Sequence, residues 1–206
     1  YAERCFFANF TLPKQSERTP RALSREDFEK IRDVEIPAWR TTHILVRDLF
    51  LFACYTGTAY ADAVSVTRDN LYTDDEGCLW LKYRRQKNEL RASVKLLPEA
   101  LALIEKYHDE NRPTLFPMIY HPNLRRHMKS LAVLAGVSSS LCYHQARHSF
   151  ASLITLEAGV PIETISRMLG HSDITTTQVY ARVTPKKLFE DMDKYIEATK
   201  DLKLVL

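Results

Sequence analysis

Glycine is scarce in this chain. Only five occur in 206 residues, none in repeated spacing, which excludes a dinucleotide-binding fingerprint or a phosphate-cradling P-loop. Cysteine is as sparse: Cys5, Cys54, Cys78 and Cys142 are scattered with no C-x-x-C pair, which argues against a zinc cage and for reduced thiols in a cytosolic compartment. Cys54 lies inside an apolar run and reads as core packing. No run of about eighteen uncharged apolar residues exists, so no membrane span is expected. The first ten residues include Glu3, Arg4 and Asn9 without a cleavage-site pattern, so no signal peptide is read there. The chain begins without Met, which reads as a fragment excised from something longer. The remaining composition, 45% hydrophobic and 27% charged, is that of one globular domain with a short extension.

Acid is also missing, locally. From Asn111 to Thr155 there is no Asp or Glu, while Arg112, Arg125, Arg126, Lys129 and Arg147 accumulate. Between Gly77 and Pro98 the one acid is Glu89, set against Lys82, Arg84, Arg85, Lys87, Arg91 and Lys95. The net charge is only +3, because carboxylates crowd into Glu26–Glu35, Asp69–Glu76 and the C-terminal tail. Segregation of this kind makes a positive face, for which a polyanion is the natural partner. Two solvated basic faces without a ligand are the plainer alternative.

Residues 1–19 show no periodicity and read as a linker from a preceding domain. Ser24 is placed as the N-cap of a helix with Asp27 at its third position and Phe28 and Ile31 inward. A second helix from about Thr42, apolar on much of its circumference, should be central and stop at Gly57. The period then shortens. Stretches at Cys78–Tyr83 and Ala92–Leu96, with turn signals at Asp74–Gly77 and Lys87–Leu90, predict an antiparallel sheet of two or three strands within Asn70–Leu97. Pro98 opens another helix. Helices follow over 122–135, 144–158, 162–169, about 173–180 and 185–202. The expected class is α+β, mainly α with one small antiparallel sheet, and no internal repeat.

Four local signals stand out. His144 and Arg147 are three apart, hence on one helix face. Leu169-Gly170-His171 ends a short helix and lets the histidine turn into a cleft. Tyr180 follows in an acid-free setting of threonines, and Lys87 lies at the tip of the basic hairpin. Singly, each has a bland reading as core, surface or edge-strand guard. A metal site on His121, His127, His144 and His148 would need nearby carboxylates, and that stretch has none.

In this order the signals resemble the catalytic domain of the tyrosine recombinases, the phage-type integrases. The box H-x-x-R-H-[ST]-F-A stands as His144 to Ala151. The box L-G-H-x-x-I-x-T-T-x-x-Y runs from Leu169 to Tyr180. A first box, T-G-x-R-x-x-E, is met by Thr56-Gly57-Thr58-Ala59-Tyr60-Ala61-Asp62, and the family's hairpin lysine by Lys87. The resemblance covers about residues 20–206. It implies a tyrosine recombinase catalytic-domain fold, with a core-binding domain normally preceding it. It also implies double-stranded DNA as partner, no cofactor or metal, and a cytoplasmic, nucleoid-associated bacterial setting.

By the same resemblance Tyr180 attacks a DNA phosphodiester, leaving a 3′-phosphotyrosyl intermediate and a free 5′-hydroxyl. Residue chemistry agrees. A phenol of pKa about 10 is a poor nucleophile at neutral pH and needs a cationic site around it. Arg147 offers a planar fork for two phosphate oxygens. His144 and His171 can donate to the non-bridging oxygens or shuttle the tyrosine proton, and Lys87 is the acid for the departing oxygen. His148 supports the site or packs in the core, and Asp62 orients basic neighbours. Arg84, Arg91, Arg125, Arg126 and Lys129 are expected on DNA phosphates.

One position departs from the pattern. Ala59 stands where the first box has arginine, and can donate nothing. Side chains alternate along a strand, so Arg85 is expected on the same face as Lys87, with Arg84 opposite. Arg85 is therefore the candidate replacement. The combination of Ala59-Tyr60-Ala61-Asp62 with Arg85-Gln86-Lys87 looks like integrases of conjugative transposons. A relative that keeps the fold and has lost strand cleavage, acting as a DNA-binding or regulatory module, stays open beside the recombinase. The 185–202 helix carries an apolar stripe (Leu188, Phe189, Met192, Ile196, Leu202) that either packs on its own domain or, as in the family, docks on a neighbour in a homo-tetramer on DNA.

Overall fold

The computed structural model describes residues 22–137, 141–179 and 185–200. The elements run α1 (Arg25–Asp33), α2 (Thr41–Thr56), α3 (Tyr60–Ser65), β1 (Leu71–Thr73), β2 (Leu79–Arg84), β3 (Arg91–Lys95), α4 (Pro98–Lys106), α5 (His121–Leu134), α6 (Tyr143–Ser149), α7 (Ile162–Leu169), α8 (Thr175–Gln178) and α9 (Pro185–Thr199). A π-helical segment, Phe150–Leu156, continues α6. The strands form one antiparallel sheet in the order β1-β2-β3.

The local chemistry that predicts each helix end is visible in the fold. The Ser24 hydroxyl accepts the Asp27 N–H at 3.0 Å, satisfying a donor that the first turn of α1 would otherwise leave unpaired. Gly57 ends α2 at φ 71°, the left-handed conformation that costs a residue with a Cβ roughly 1–2 kcal/mol. It is also packed tightly: a Cβ there would lie 2.6 Å from Phe150 Cδ1.

α2 is the central element. From Val46 to Thr56 every residue except Arg47 is buried, and α1, α3, α4, α5, α6 and the π segment all pack against it. One charge goes inward. Asp48 is buried, yet its carboxylate takes Arg47 Nε at 2.8 Å, Lys106 Nζ at 2.5 Å and the Tyr107 hydroxyl at 2.8 Å, tying α2 to α4. Three donors are what make a buried carboxylate tolerable.

The segment expected as one α-helix over 144–158 changes period halfway. Thr155 Oγ1 donates to the carbonyls of Phe150 at 2.9 Å and Ala151 at 3.0 Å. Such back-bonding competes with the main-chain ladder, and the turn widens where Phe150, Ala151, Leu153 and Thr155 are all buried. The helix expected over about 173–180 is shorter, Thr175–Gln178 within the described residues. Among the described residues, no helix is long and apolar enough to cross a membrane.

Candidate active site

α6 is fastened before it presents anything. Its N-cap N–H, on Cys142, donates to Gln145 Oε1 at 2.7 Å, and the Tyr143 hydroxyl donates to the Leu49 carbonyl of α2 at 2.9 Å. At its C-terminal end, Ser149 Oγ accepts the Leu23 N–H at 3.0 Å. Arg147 is thereby carried into the interior, where it is 1% exposed.

Arg147 Nη1 donates to the Gly57 carbonyl and its Nη2 to the Leu169 carbonyl, both at 2.6 Å. These oxygens lie at the C-terminal ends of α2 and α7. Such ends leave carbonyls without intrahelical donors and carry about half a negative charge each. Two helix termini thus stabilise the buried cation and aim the guanidinium fork.

The histidines surround it. His144, on the exposed side of α6, meets the His148 ring edge-on with centroids 4.3 Å apart. Burial of its ring, and then the charges of Arg147, Arg85 and Lys87, hold His144 below the ordinary histidine value. His171 sits just after Gly170, and its Nδ1 shares a 2.7 Å hydrogen bond with Thr177 Oγ1 on α8. Burial first, then Arg147, Arg85 and His144, push His171 down to about 4. His148 is also pushed down to about 4, by burial and then by His144, Arg147 and His171. At neutral pH these are uncharged imidazoles, each with one donor and one acceptor nitrogen.

The hairpin supplies the remaining cations. β2 ends at Arg84, so Lys87 lies in the following turn, exposed, and contrary to expectation does not share a strand face with buried Arg85. The opposition of Arg84 and Arg85 does hold. Arg84 is exposed, paired in register with exposed Arg91, whereas Arg85 is buried. Arg85 Nη1 donates to the Gly170 carbonyl at 2.9 Å, and its Nε lies 3.9 Å from Asp62 Oδ2 with no hydrogen-bond partner among the described residues. Asp62, buried, also accepts the Gln86 N–H at 2.9 Å on Oδ1. It therefore touches both the arginine and the lysine turn. Gly170 is left-handed at φ 61°, and a Cβ on it would stand 2.8 Å from Arg85 Cδ.

The fold thus gathers His144, Arg147, His148, His171, Arg85, Asp62 and the Lys87 turn. Tyr180 lies outside the described residues. Arg125, Arg126 and Lys129 are exposed on α5. Of the histidines considered as metal ligands, His127 packs on His43 with centroids 4.5 Å apart, while His144 packs on His148. Among the described residues, the one group of three possible ligands is Asp74, Glu76 and Cys78, beside the β1–β2 turn. Sequence reasoning missed Thr177 as the partner of His171, because six residues across a helix break have no fixed geometry. It also missed the main-chain carbonyls, which leave no mark in a residue pattern.

A model of the phage integrase family matches residues 22–187. Tyrosine recombinase XerD of Listeria monocytogenes is 28% identical over 194 residues, which cover 85% of this chain and 62% of that relative. Among solved structures, XerA recombinase superposes with TM-score 0.65 at 20% identity, over 85% of this chain and 65% of the other. The Tn1549 transposon integrase, in complex with a circular intermediate DNA, does so with TM-score 0.62 at 15% identity, over 85% and 66%. The family match spans most of the chain, and the fold is that of tyrosine recombinase catalytic domains. This protein therefore belongs to the phage integrase family.

Proposed function

We propose that this chain is the strand-cleaving and -joining domain of a site-specific DNA recombinase. The observation that carries the reading is the convergence of a buried, carbonyl-held guanidinium with neutral His144 and His171, Arg85 and the Lys87 turn. Arg85 and Asn88 of the lysine turn both donate to the carbonyl of Gly170, the residue before His171, which brings the turn and the imidazole to one side of the site. Double-stranded DNA is the substrate, with phosphates also held by Arg84, Arg91, Arg125, Arg126 and Lys129.

In this mechanism the Tyr180 oxygen attacks the scissile phosphorus and the bond to the 5′-oxygen breaks. The phenol proton passes to the acceptor nitrogen of His171 or His144, and the leaving oxygen takes a proton from the Lys87 ammonium. Arg147 and Arg85 stabilise the charge that develops on the non-bridging oxygens, Arg85 supplying what Ala59 cannot. The phosphodiester energy is retained in the 3′-phosphotyrosyl bond, and a 5′-hydroxyl from another strand reverses the step. The test is incubation with a nicked suicide duplex: a covalent protein–DNA adduct is expected, and none with Tyr180→Phe. An adduct that survives Tyr180→Phe, or a parent that forms none, removes the recombinase reading and leaves the DNA-binding relative.

Residues 1–19 would join this domain, 20–206, to a preceding one that completes the grip on DNA, in a nucleoid-associated protein. Assembly as a homo-tetramer through α9 is supported by its apolar stripe. Leu188, Phe189, Met192, Tyr195 and Ile196 are each between 47% and 68% exposed, uncovered by the described part of their own chain. Deleting residues 186–206 should abolish multimers on DNA and leave the thermal transition of the core in place; a loss of folding would return α9 to its own domain.

A further inference from the structure

Lys87 is exposed, yet its turn is tied on both sides of it. One residue earlier, the Gln86 N–H donates to Asp62 Oδ1 at 2.9 Å. One residue later, Asn88 Nδ2 donates to the Gly170 carbonyl at 3.4 Å, the oxygen that already accepts Arg85 Nη1. Between these ties the turn closes on itself, with Glu89 N–H on the Arg85 carbonyl at 2.8 Å and Arg85 N–H on the Leu90 carbonyl at 2.9 Å. Closure this tight puts Glu89 at φ 56°, a conformation that a non-glycine residue rarely adopts.

The ties matter because a lysine ammonium rides on a flexible four-carbon stem. It reaches a defined point only when its backbone is held. Both anchors are rigid parts of the site: Asp62 is buried in α3, and Gly170 is the residue before His171, whose own N–H is bonded to the Ser166 carbonyl at 3.0 Å. Asn88 therefore sets the lysine turn against the same peptide that sets the imidazole.

Resting on the recombinase reading, we propose that Asn88 is a positioning residue for Lys87. It places the proton donor in register with His171 and touches no reacting atom itself. Because it acts through the acid, its loss matters only when the leaving oxygen needs a proton.

Two nicked suicide duplexes separate these cases, one with the ordinary bridging 5′-oxygen and one with sulfur there, since a thiolate leaves without protonation. Asn88→Ala, and the isosteric Asn88→Asp that removes the donor, are expected to slow adduct formation on oxygen about tenfold, as a displaced catalytic group does. On sulfur both should return to within about twofold of the parent, in parallel with Lys87→Ala. Asn88 is exposed, so its variants are expected to fold. A parental rate on oxygen for both Asn88 variants, or a loss that sulfur does not repair, overturns the proposal. A Lys87→Ala defect that sulfur leaves unrepaired overturns it as well, while the recombinase reading stands on the adduct. A parent that makes no adduct on either duplex takes both down.

Discussion

Two arginines reach the same pair of histidines by different means. Arg147 comes from a buried helix and is gripped by the carbonyls of two helix C-termini at 2.6 Å each. Arg85 comes from a hairpin turn, with one carbonyl at 2.9 Å and a carboxylate 3.9 Å from its Nε, which has no hydrogen-bond partner among the described residues. Arg147 is part of the core's own accounting of donors and acceptors, so its geometry is as rigid as the packing of α2, α6 and α7. Arg85 depends on a few polar bonds at the edge of the sheet. Electrostatically the two are alike, since both lower His144 and His171. Mechanically they are not.

The comparison can be broken by substitution. Arg147→Lys should have the largest effect: a single ammonium cannot serve both carbonyls and a phosphate, so adduct formation should fall by about 10²–10³. It should also destabilise the domain by about 1–3 kcal/mol in urea unfolding, because a buried carbonyl is left unmet. Arg85→Ala should cost about tenfold or more in adduct formation, with a much smaller shift in the unfolding midpoint. Adding Ala59→Arg to that variant should restore part of the rate, if the hairpin arginine does the work of the missing one. A parental rate for Arg85→Ala would sink the replacement idea and leave Arg147 as the sole guanidinium at the site.

The histidines between the arginines test the comparison through pH. His148 has a folded value of about 4 against an ordinary 6.5, so the unfolded chain binds its proton more readily. Its contribution to stability is therefore complete above about pH 6.5 and lost as pH falls toward 4, at most roughly 3 kcal/mol for this group. His148→Gln should flatten the pH dependence of the unfolding midpoint over that window. An unchanged slope would mean that His148 titrates at the ordinary value, shifted neither by its burial nor by its charged neighbours.

Much of the scaffold was legible because its signals are local. Ser24, Gly57 and Pro98 each answer a donor, a handedness or a missing N–H within one turn of chain, and α1, α2 and α4 begin or end where these residues place them. α7 spans 162–169 as its pattern and the following glycine predict. The π-helical stretch was not legible, because Thr155 fits an α-helix locally and only its burial against α2 and α7 favours the wider turn.

The site divides in the same way. His144 and Arg147 share a helix face by spacing alone, and the basic hairpin announces its charge in composition. That Arg85 turns inward while Arg84 and Lys87 stay in solvent follows from strand alternation for the first pair. For the second it follows from a turn whose shape is decided by Asp62 and Gly170, more than twenty and eighty residues away. Thr177 meets His171 only because α8 folds back after the Gly170 stop.

By itself the sequence determined the ends of α1, α2 and α4 that Ser24, Gly57 and Pro98 mark, the span of α7, the small sheet and the family to which the boxes belong, since each rests on chemistry between near neighbours. Only the tertiary structure decided which carbonyls hold Arg147 and that Arg85 and Asn88 both meet the Gly170 carbonyl. Those are contacts between distant segments. Their energies depend on burial and distance, neither of which a one-dimensional pattern contains.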